Sequence, residues 1–488
     1  MFYGQVLVKI LLINPPATMT LTGNLPAVVD EERGHNPPLG ILYLAAFLRR
    51  DKICDVEVID AQVEELDYSA LKERIHASGP DLVGISAMTF TLLDCIKTAR
   101  IVKELHPKIP IAWGGSHIHI YAEEMIRQPE ADFCFTGEGE HAFAELLQVL
   151  HKPEEWDRIQ GLVFKRGGKI IRTPTRKLLA NDDLDHLPFP AREMVPYWKY
   201  SSVMAKRDPI TTMFTSRGCP FRCSFCDRPH LGKNFRANSP KYVVDEMEEC
   251  INLGIREFLI YDDTFTVDKR RVHEICDEII RRKLDVGWDV RAKVNTIDAD
   301  LLKHMKAANC ERIHYGVEAG TDRIMKVLRK GITTEETRKV FKMTKEAGID
   351  TLAYFMIGSP TETREEIKQT FNFMQELDPD YTHITILTPF PATEIYYQGL
   401  SSGIYKEDYW KNFALNPSPD YKPKYWTELL SEEELNELIV EAYKSFYSRP
   451  SYIFKKMIQL RSFAELKRKV KAGFRILTMS PAPASATP

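Results

Sequence analysis

Three of the chain's nine cysteines fall within eight residues, in Thr215-Ser216-Arg217-Gly218-Cys219-Pro220-Phe221-Arg222-Cys223-Ser224-Phe225-Cys226-Asp227, at the spacing C-x3-C-x2-C. Gly218 and Pro220 disfavour a helix, so the backbone can wrap and turn three thiolates toward one soft-metal or iron-sulfur site. No fourth cysteine is near in sequence. Three protein ligands leave one coordination position open to a substrate or cofactor. The same spacing admits a structural zinc site with Asp227 or His230 as fourth ligand. Cys54, Cys95, Cys134, Cys250, Cys276 and Cys310 are scattered among apolar or helical stretches and read as small buried hydrophobes.

These residues sit in a chain of 488, too long for one ordinary core, which points to two or three domains. Hydrophobic content of 44%, charged content of 28% and a formal charge of -3 are those of a globular protein with no global attraction to nucleic acid. No apolar run approaches the roughly 18 residues that span a bilayer, and Lys9 interrupts the apolar N-terminal segment before any leader pattern forms. A cytoplasmic location is expected.

Elements that must position the cysteines can be read in order. From Gln5 to about His151, β-branched runs (Val6-Asn14, Val56-Asp60, Leu82-Ala87, Ile109-Trp113, Asp132-Phe135) alternate with helical patterns at about 39–50, 69–77, 92–105, 118–127 and 139–150. Such β-α alternation predicts a doubly wound parallel sheet, in which ligands sit at the carboxyl ends of the strands. The unusual residues collect there: Asn14, Pro15 and Pro16 after the first strand, Ser86, Met88 and Thr89 after the third, Gly114, Gly115 and His117 after the fourth, and Thr136, Gly137, Glu138, Gly139 and Glu140 after the fifth. Glycines let backbone approach a ligand, so 1–150 reads as a binding domain; without G-x-G-x-x-G after the first strand, a dinucleotide is a poor ligand for it.

Residues 151–208 read as a β-hairpin around Gly167-Gly168 and a proline-stiffened linker. From 209 to 391 six further strands are expected (Thr211-Thr215, Glu257-Tyr261, Val286-Arg291, Arg312-Val317, Thr351-Ile357, His383-Leu387). Capping boxes at Thr333 with Glu336 and Thr363 with Glu366 start two of the helices between them. Six β-α units make a partial or open barrel whose chemistry belongs at the carboxyl ends of the strands, and the cysteine loop directly follows the first of them. Residues 392–480 form an aromatic-rich helical region with helices at about 431–447 and 450–476, and 481–488 a disordered Pro/Ala/Ser tail. The basic helix at 450–476 reads as a docked terminal helix with a solvated face, or as a peripheral membrane contact.

On Cys219, Cys223, Phe225 and Cys226 behind the first strand of a six-unit barrel, preceded by the strand-end loops above, the chain resembles the cobalamin-binding radical S-adenosylmethionine (SAM) enzymes over residues 5 to 391. The resemblance implies an α/β architecture of an N-terminal Rossmann-like sheet, a partial (β/α)6 radical SAM barrel and a helical C-terminal region. It implies three cofactors: a 4Fe-4S cluster on Cys219, Cys223 and Cys226, SAM chelating the open iron and cleaved there to a 5'-deoxyadenosyl radical, and cobalamin. For SAM it implies Phe225, Asp262, Asp263, Glu318, Ile357 and Gly358, with Arg329 or Lys330 facing the SAM carboxylate. For cobalamin it implies Asn14, Pro15, Ser86, Met88, Thr89, Gly114, Gly115, His117, Thr136, Gly137, Glu138 and Gly139. The family's D-x-H-x-x-G signature is absent, so no histidine is expected below the cobalt, and His117 and His119 read as helix-start residues.

Three functions remain open at this stage. The first is cobalamin-dependent methyl transfer to a carbon centre. The second is anaerobic oxidative cyclisation or carbon-carbon coupling on a porphyrin or lipid-like substrate. The third is a zinc-braced binding protein without catalysis. Either enzyme needs a reducing partner such as ferredoxin or flavodoxin, and neither calls for nucleic acid.

Overall fold

The computed structural model describes residues 8–21, 34–50, 52, 54–202, 204–227, 232–458 and 478–479. His230, the tail 481–488 and most of the second half of the basic helix lie outside them. Two parallel sheets follow one another along the chain. The first contains β1 (Lys9–Asn14), β2 (Asp55–Asp60), β3 (Leu82–Ser86), β4 (Ile111–Gly114), β5 (Phe133–Phe135), β6 (Leu162–Arg166) and β7 (Lys169–Arg172), in the order β2-β1-β3-β4-β5-β6-β7. The near-continuous apolar runs of β1 and β3 suit strands covered by helices on both faces. Strand order reverses between β1 and β3, which opens a crevice at their carboxyl ends. β6 pairs antiparallel with β5, and β7 antiparallel with β6 at the outer edge. The hairpin expected as part of a connection is therefore the edge of the first sheet, because the apolar Leu162, Val163 and Phe164 bury fully against it.

The second sheet contains β8 (Ile210–Met213), β11 (Glu257–Ile260), β12 (Gly287–Ala292), β13 (Cys310–Glu318), β14 (Asp350–Ile357) and β15 (Tyr381–Ile386), all parallel, in the order β15-β14-β13-β12-β11-β8. β8 and β15 do not pair, so the barrel is open. Thr333 and Thr363 form the expected capping boxes with Glu336 and Glu366, and Ser239 and Asp298 cap two further helices through their side chains.

An open sheet leaves the polar backbone of an edge strand unpaired. Here the helix Glu432–Tyr447 covers β15 and lends it two phenol hydroxyls. Tyr443 Oη accepts from Ile384 N at 3.2 Å and donates to Ile384 O at 3.0 Å; Tyr447 Oη does the same for Thr382 at 3.1 and 2.8 Å. The described start of the basic helix, Pro450–Ile458, docks as well, with Lys455 and Lys456 on Asp380 at 3.1 and 3.5 Å. No helix among the described residues is long and apolar enough to cross a membrane.

Candidate active site

The cysteine loop leaves β8 and is bracketed by a two-residue antiparallel pair, β9 (Ser216–Arg217) with β10 (Arg236–Ala237). Its root is held by Asp262, which is fully buried just beyond β11. One carboxylate oxygen accepts from the amides of Thr215 (2.6 Å) and Ser216 (3.0 Å), the other from their hydroxyls (2.6 Å each). The assignment of Asp262 to SAM is thereby corrected: its acceptor capacity is filled by the loop that it pins, and it is a positioning residue. The tip is tied by Ser224, whose amide donates to Leu328 O (3.0 Å) and whose carbonyl accepts from Ile395 N (2.9 Å).

Along this loop Cys219 is buried, Cys223 half-buried and Cys226 exposed, and all are free thiols; the other six cysteines are buried. Among the described residues no three His, Cys, Asp or Glu side chains stand close enough to hold a single metal ion. Thiolates on one zinc, each at about 2.3 Å, must nearly touch one another. Three free thiols on one short loop match the donor set of a cluster that keeps one iron open.

Two ammonium groups flank the loop. Lys293 Nζ lies 4.0 Å from the centroid of the Phe221 ring, and Lys330 Nζ 5.8 Å from that of Phe225. Lys330 is ion-paired with Glu318 at 2.7 Å, both side chains about nine-tenths buried. Glu318, which the resemblance assigns to SAM, thus has a donor within the protein. Its backbone is in the left-handed region (φ 73°) at a register shift in β13, an unusual conformation for a non-glycine residue. Gly316 makes the room: a Cβ there would lie 2.4 Å from Glu318 Oε1 and 2.6 Å from Lys330 Nζ. Arg329 pairs instead with Glu394 at the surface. Lys293 has no carboxylate partner among the described residues, and the sequence reading passed over it; a lysine two residues past the barrel-strand Arg291 was the available signal.

Asp263, beside Asp262, is exposed and accepts no side-chain hydrogen bond from the described residues. Partial enclosure, then the neighbouring Asp262 carboxylate, raise its pKa, with Arg291 opposing. Ile357 faces the helices and is fully buried, so only its backbone is offered to a ligand. Gly358 turns at φ 77° against Leu435. In the same loop Glu362, also missed, is buried and accepts from Ser359 N at 2.8 Å, and burial pushes its carboxyl up to about 7.

At the carboxyl edge of the first sheet the expected residues divide into two groups. Gly114, Gly137 and Gly139 face open space, where an added Cβ would meet nothing within 4 Å. Gly115 (φ 96°), Ser86 and the 44%-exposed Met88 border the same edge. This glycine-rimmed, partly apolar edge at the switch in strand order suits a broad planar ligand such as a corrin. The second group has side chains already engaged within the protein, which leaves only backbone to a ligand. Asn14 donates to Asp60 (2.7 Å), Thr136 Oγ1 to Gly161 O (3.2 Å), and Pro15 is buried. His117 is fully buried with Nδ1 3.1 Å from Thr89 Oγ1, and burial lowers its pKa to about 3. Its ring lies under the short turn Thr89–Thr91 and so cannot rise as a ligand without leaving the core.

Glu138 is the largest correction. Its carboxylate reaches across to the β9–β10 pair, accepting from Arg217 (2.8 Å), Arg236 (2.9 Å) and Leu179 N (2.7 Å), while Glu140 takes the other Arg217 nitrogen at 3.1 Å. Burial opposes ionisation here, but Arg217 and then Arg236 hold the Glu138 carboxyl below the usual range. The loop after β5 is thus clamped to the residues that bracket the cysteines.

Comparison with known proteins agrees with this construction. A model of the radical SAM superfamily matches residues 213–374 and one of the B12 binding domain matches residues 26–147. A protein of Pyrococcus horikoshii named as an uncharacterized methyltransferase is 34% identical over 471 residues, 96% of this chain and 98% of the relative. The anaerobic magnesium-protoporphyrin IX monomethyl ester cyclase of Rubrivivax gelatinosus is 28% identical over 459 residues, 91% of this chain and 80% of the cyclase. The fold is shared with the cobalamin-dependent SAM radical enzyme OxsB, solved with aqua-cobalamin and SAM, at a TM-score of 0.74 and 16% identity over 96% of this chain and 72% of that one. The chain therefore belongs to the radical SAM superfamily, in the cobalamin-dependent methyltransferase family that works with a 4Fe-4S cluster, SAM and a B12-binding domain.

Proposed function

We propose that this enzyme moves a methyl group from cobalamin to a carbon centre of a small molecule held in the open barrel. The observation that carries the reading is the clamp of Glu138 and Glu140 on Arg217, two residues before Cys219, which joins the glycine-rimmed edge of the first sheet to the cysteine loop. Two cofactors that must act on one carbon need their binding edges fixed against each other.

In this reading Cys219, Cys223 and Cys226 hold the cluster. Lys293 receives the SAM carboxylate, Asp263 the amine, and Phe225, Gly358 and the Glu318–Lys330 pair border the same molecule. Gly114, Gly115, Gly137, Gly139, Ser86 and Met88 border the corrin. When bound, these groups supply reductive cleavage of SAM and a transferable methyl. The protein's part is to orient them and to keep other hydrogen donors away from the reacting carbon. Residues up to about 172 form the cobalamin unit, 209–391 the barrel, and the C-terminal helices close its edge. A ferredoxin- or flavodoxin-like reductant supplies electrons.

A second reading, oxidative cyclisation or coupling on a porphyrin or lipid-like substrate, is favoured by the exposed apolar rings of Phe90 and of Phe390, the latter stacked on Trp410 at 5.6 Å. Exposed Phe454, Met457 and Ile458 on the described start of 450–476 keep peripheral membrane contact attached to that reading.

Anaerobic reconstitution with iron, sulfide and hydroxocobalamin separates the alternatives. Methyl transfer predicts bound corrin and both 5'-deoxyadenosine and S-adenosylhomocysteine. 5'-Deoxyadenosine alone favours the cyclase, and a colourless protein with stoichiometric zinc removes both.

A further inference from the structure

Strands β11 to β15 show two unlike faces. Residues facing the helices, such as Phe258, Val290, Tyr315, Phe355 and Ile384, are fully buried. Of the alternate residues, which face the concave side, those toward the carboxyl ends are only half-buried: Tyr261, Arg291, Tyr354, Met356, His383 and Thr385. In a closed barrel such positions fill the interior with branched apolar side chains. Here they line the concave face of an open sheet, where solvent reaches them, and most are polar.

These side chains form one connected tier. Leu259 is level with Asp289, which sets Tyr261 beside Arg291, and Arg291 is level with His314. His314 Nδ1 lies 3.2 Å from Tyr354 Oη, and Tyr354 is level with His383, their rings edge-on at 5.7 Å. Beneath them Asp289 is engaged with Arg312 and His314, each at 3.3 Å. Arg291 differs from the rest. Its guanidinium lies 4.2 Å from the Tyr261 ring centroid and makes no ion pair with the described residues. Asp263 and Asp289 are the neighbouring carboxylates; Asp289 is engaged as above, and Asp263 acts on Arg291 only at longer range. An aromatic face orients a guanidinium and leaves its five N–H donors unused. A planar fork held this way in a partly dry cavity matches a carboxylate or a phosphate, which it binds through two parallel hydrogen bonds.

We propose that Arg291, oriented by Tyr261, binds an oxyanion of the substrate, a carboxylate or a phosphate, within the barrel cavity, with Tyr354 and His383 on the wall beside it. The substrate is accordingly an anionic small molecule whose charged end lies at β12. This rests on the reading of the barrel as the substrate site, but the test reads binding and not turnover, so its failure and a failure of methyl transfer register separately.

The reconstituted full-length enzyme is titrated calorimetrically with phenyl phosphate, benzoate and neutral benzyl alcohol. At least one anion binds and the alcohol does not; binding of phenyl phosphate alone assigns a phosphate, and of benzoate alone a carboxylate. Arg291→Gln weakens that binding at least tenfold, and Arg291→Lys, which keeps the charge and loses the fork, weakens it less. Phenylglyoxal labelling of the unaltered enzyme, read by mass spectrometry, avoids any dependence on how the variants fold: the bound anion slows modification of Arg291 several-fold. Saturating SAM leaves the anion in place. The proposal is overturned if neither anion binds, if Arg291→Gln binds as the parent does, if the labelling rate of Arg291 does not change, or if SAM displaces the anion, which assigns Arg291 to SAM.

Discussion

Replacing Asp262 tests how the cluster loop is held. In Asp262→Asn one oxygen still accepts from the Thr215 and Ser216 amides, and the new amide can donate to the two hydroxyls that met the second oxygen. Only the charge is lost, and opening of the loop should rise less than about tenfold. Asp262→Ala removes all four contacts and leaves two buried amides without acceptors, at about 1–3 kcal/mol each and so roughly 2–6 kcal/mol together. At about 1.4 kcal/mol per tenfold, the Thr215 and Ser216 amides should exchange with deuterium at least ~30-fold faster than in the parent. Iron should leave the reconstituted protein faster under a chelator, in the order Ala, Asn, parent. Parent-like exchange and iron retention in the Ala variant would show that Asp262 does not hold the loop. If that variant also failed to bind SAM, the carboxylate would belong to the ligand after all.

Three further outcomes are expected. Changing Cys219, Cys223 and Cys226 together to Ala should abolish iron binding and SAM cleavage while the thermal transition is kept; unchanged iron would refute the assignment. Glu318→Gln leaves buried Lys330 without its counter-charge, a loss on the order of 3 kcal/mol, and should lower thermal stability as well as SAM affinity; Glu318→Gln with Lys330→Met should regain part of the stability and none of the affinity, as read by calorimetry in both cases. Glu362, pushed up to about 7 by burial, is easier to keep neutral in the folded state than in the unfolded chain, where the usual value is about 4.5. Its stabilising contribution is therefore complete below about pH 4.5 and disappears as pH rises through about 7, and Glu362→Gln should flatten the thermal midpoint across that window.

The sequence by itself determined the elements and the chemistry type. Period and caps placed the strands of both sheets to within a few residues, because β-branched runs and Ser239, Asp298, Thr333 and Thr363 act through local backbone geometry. Cys219, Cys223 and Cys226 stand out in the sequence for the same reason: one short loop limits which sulfurs can converge. What the tertiary structure decided is which polar side chains remain available once the chain is folded. Asp262, Glu138, Asn14 and His117 all stand at strand ends, where a ligand is expected, and all four are engaged by groups 25 or more residues away in sequence. Lys293 and Arg291 carry no local motif and are left without close carboxylate partners among the described residues. A carboxylate's partner is set by which loops meet after the sheets close, and that meeting is a property of long-range packing that no local pattern in the chain encodes.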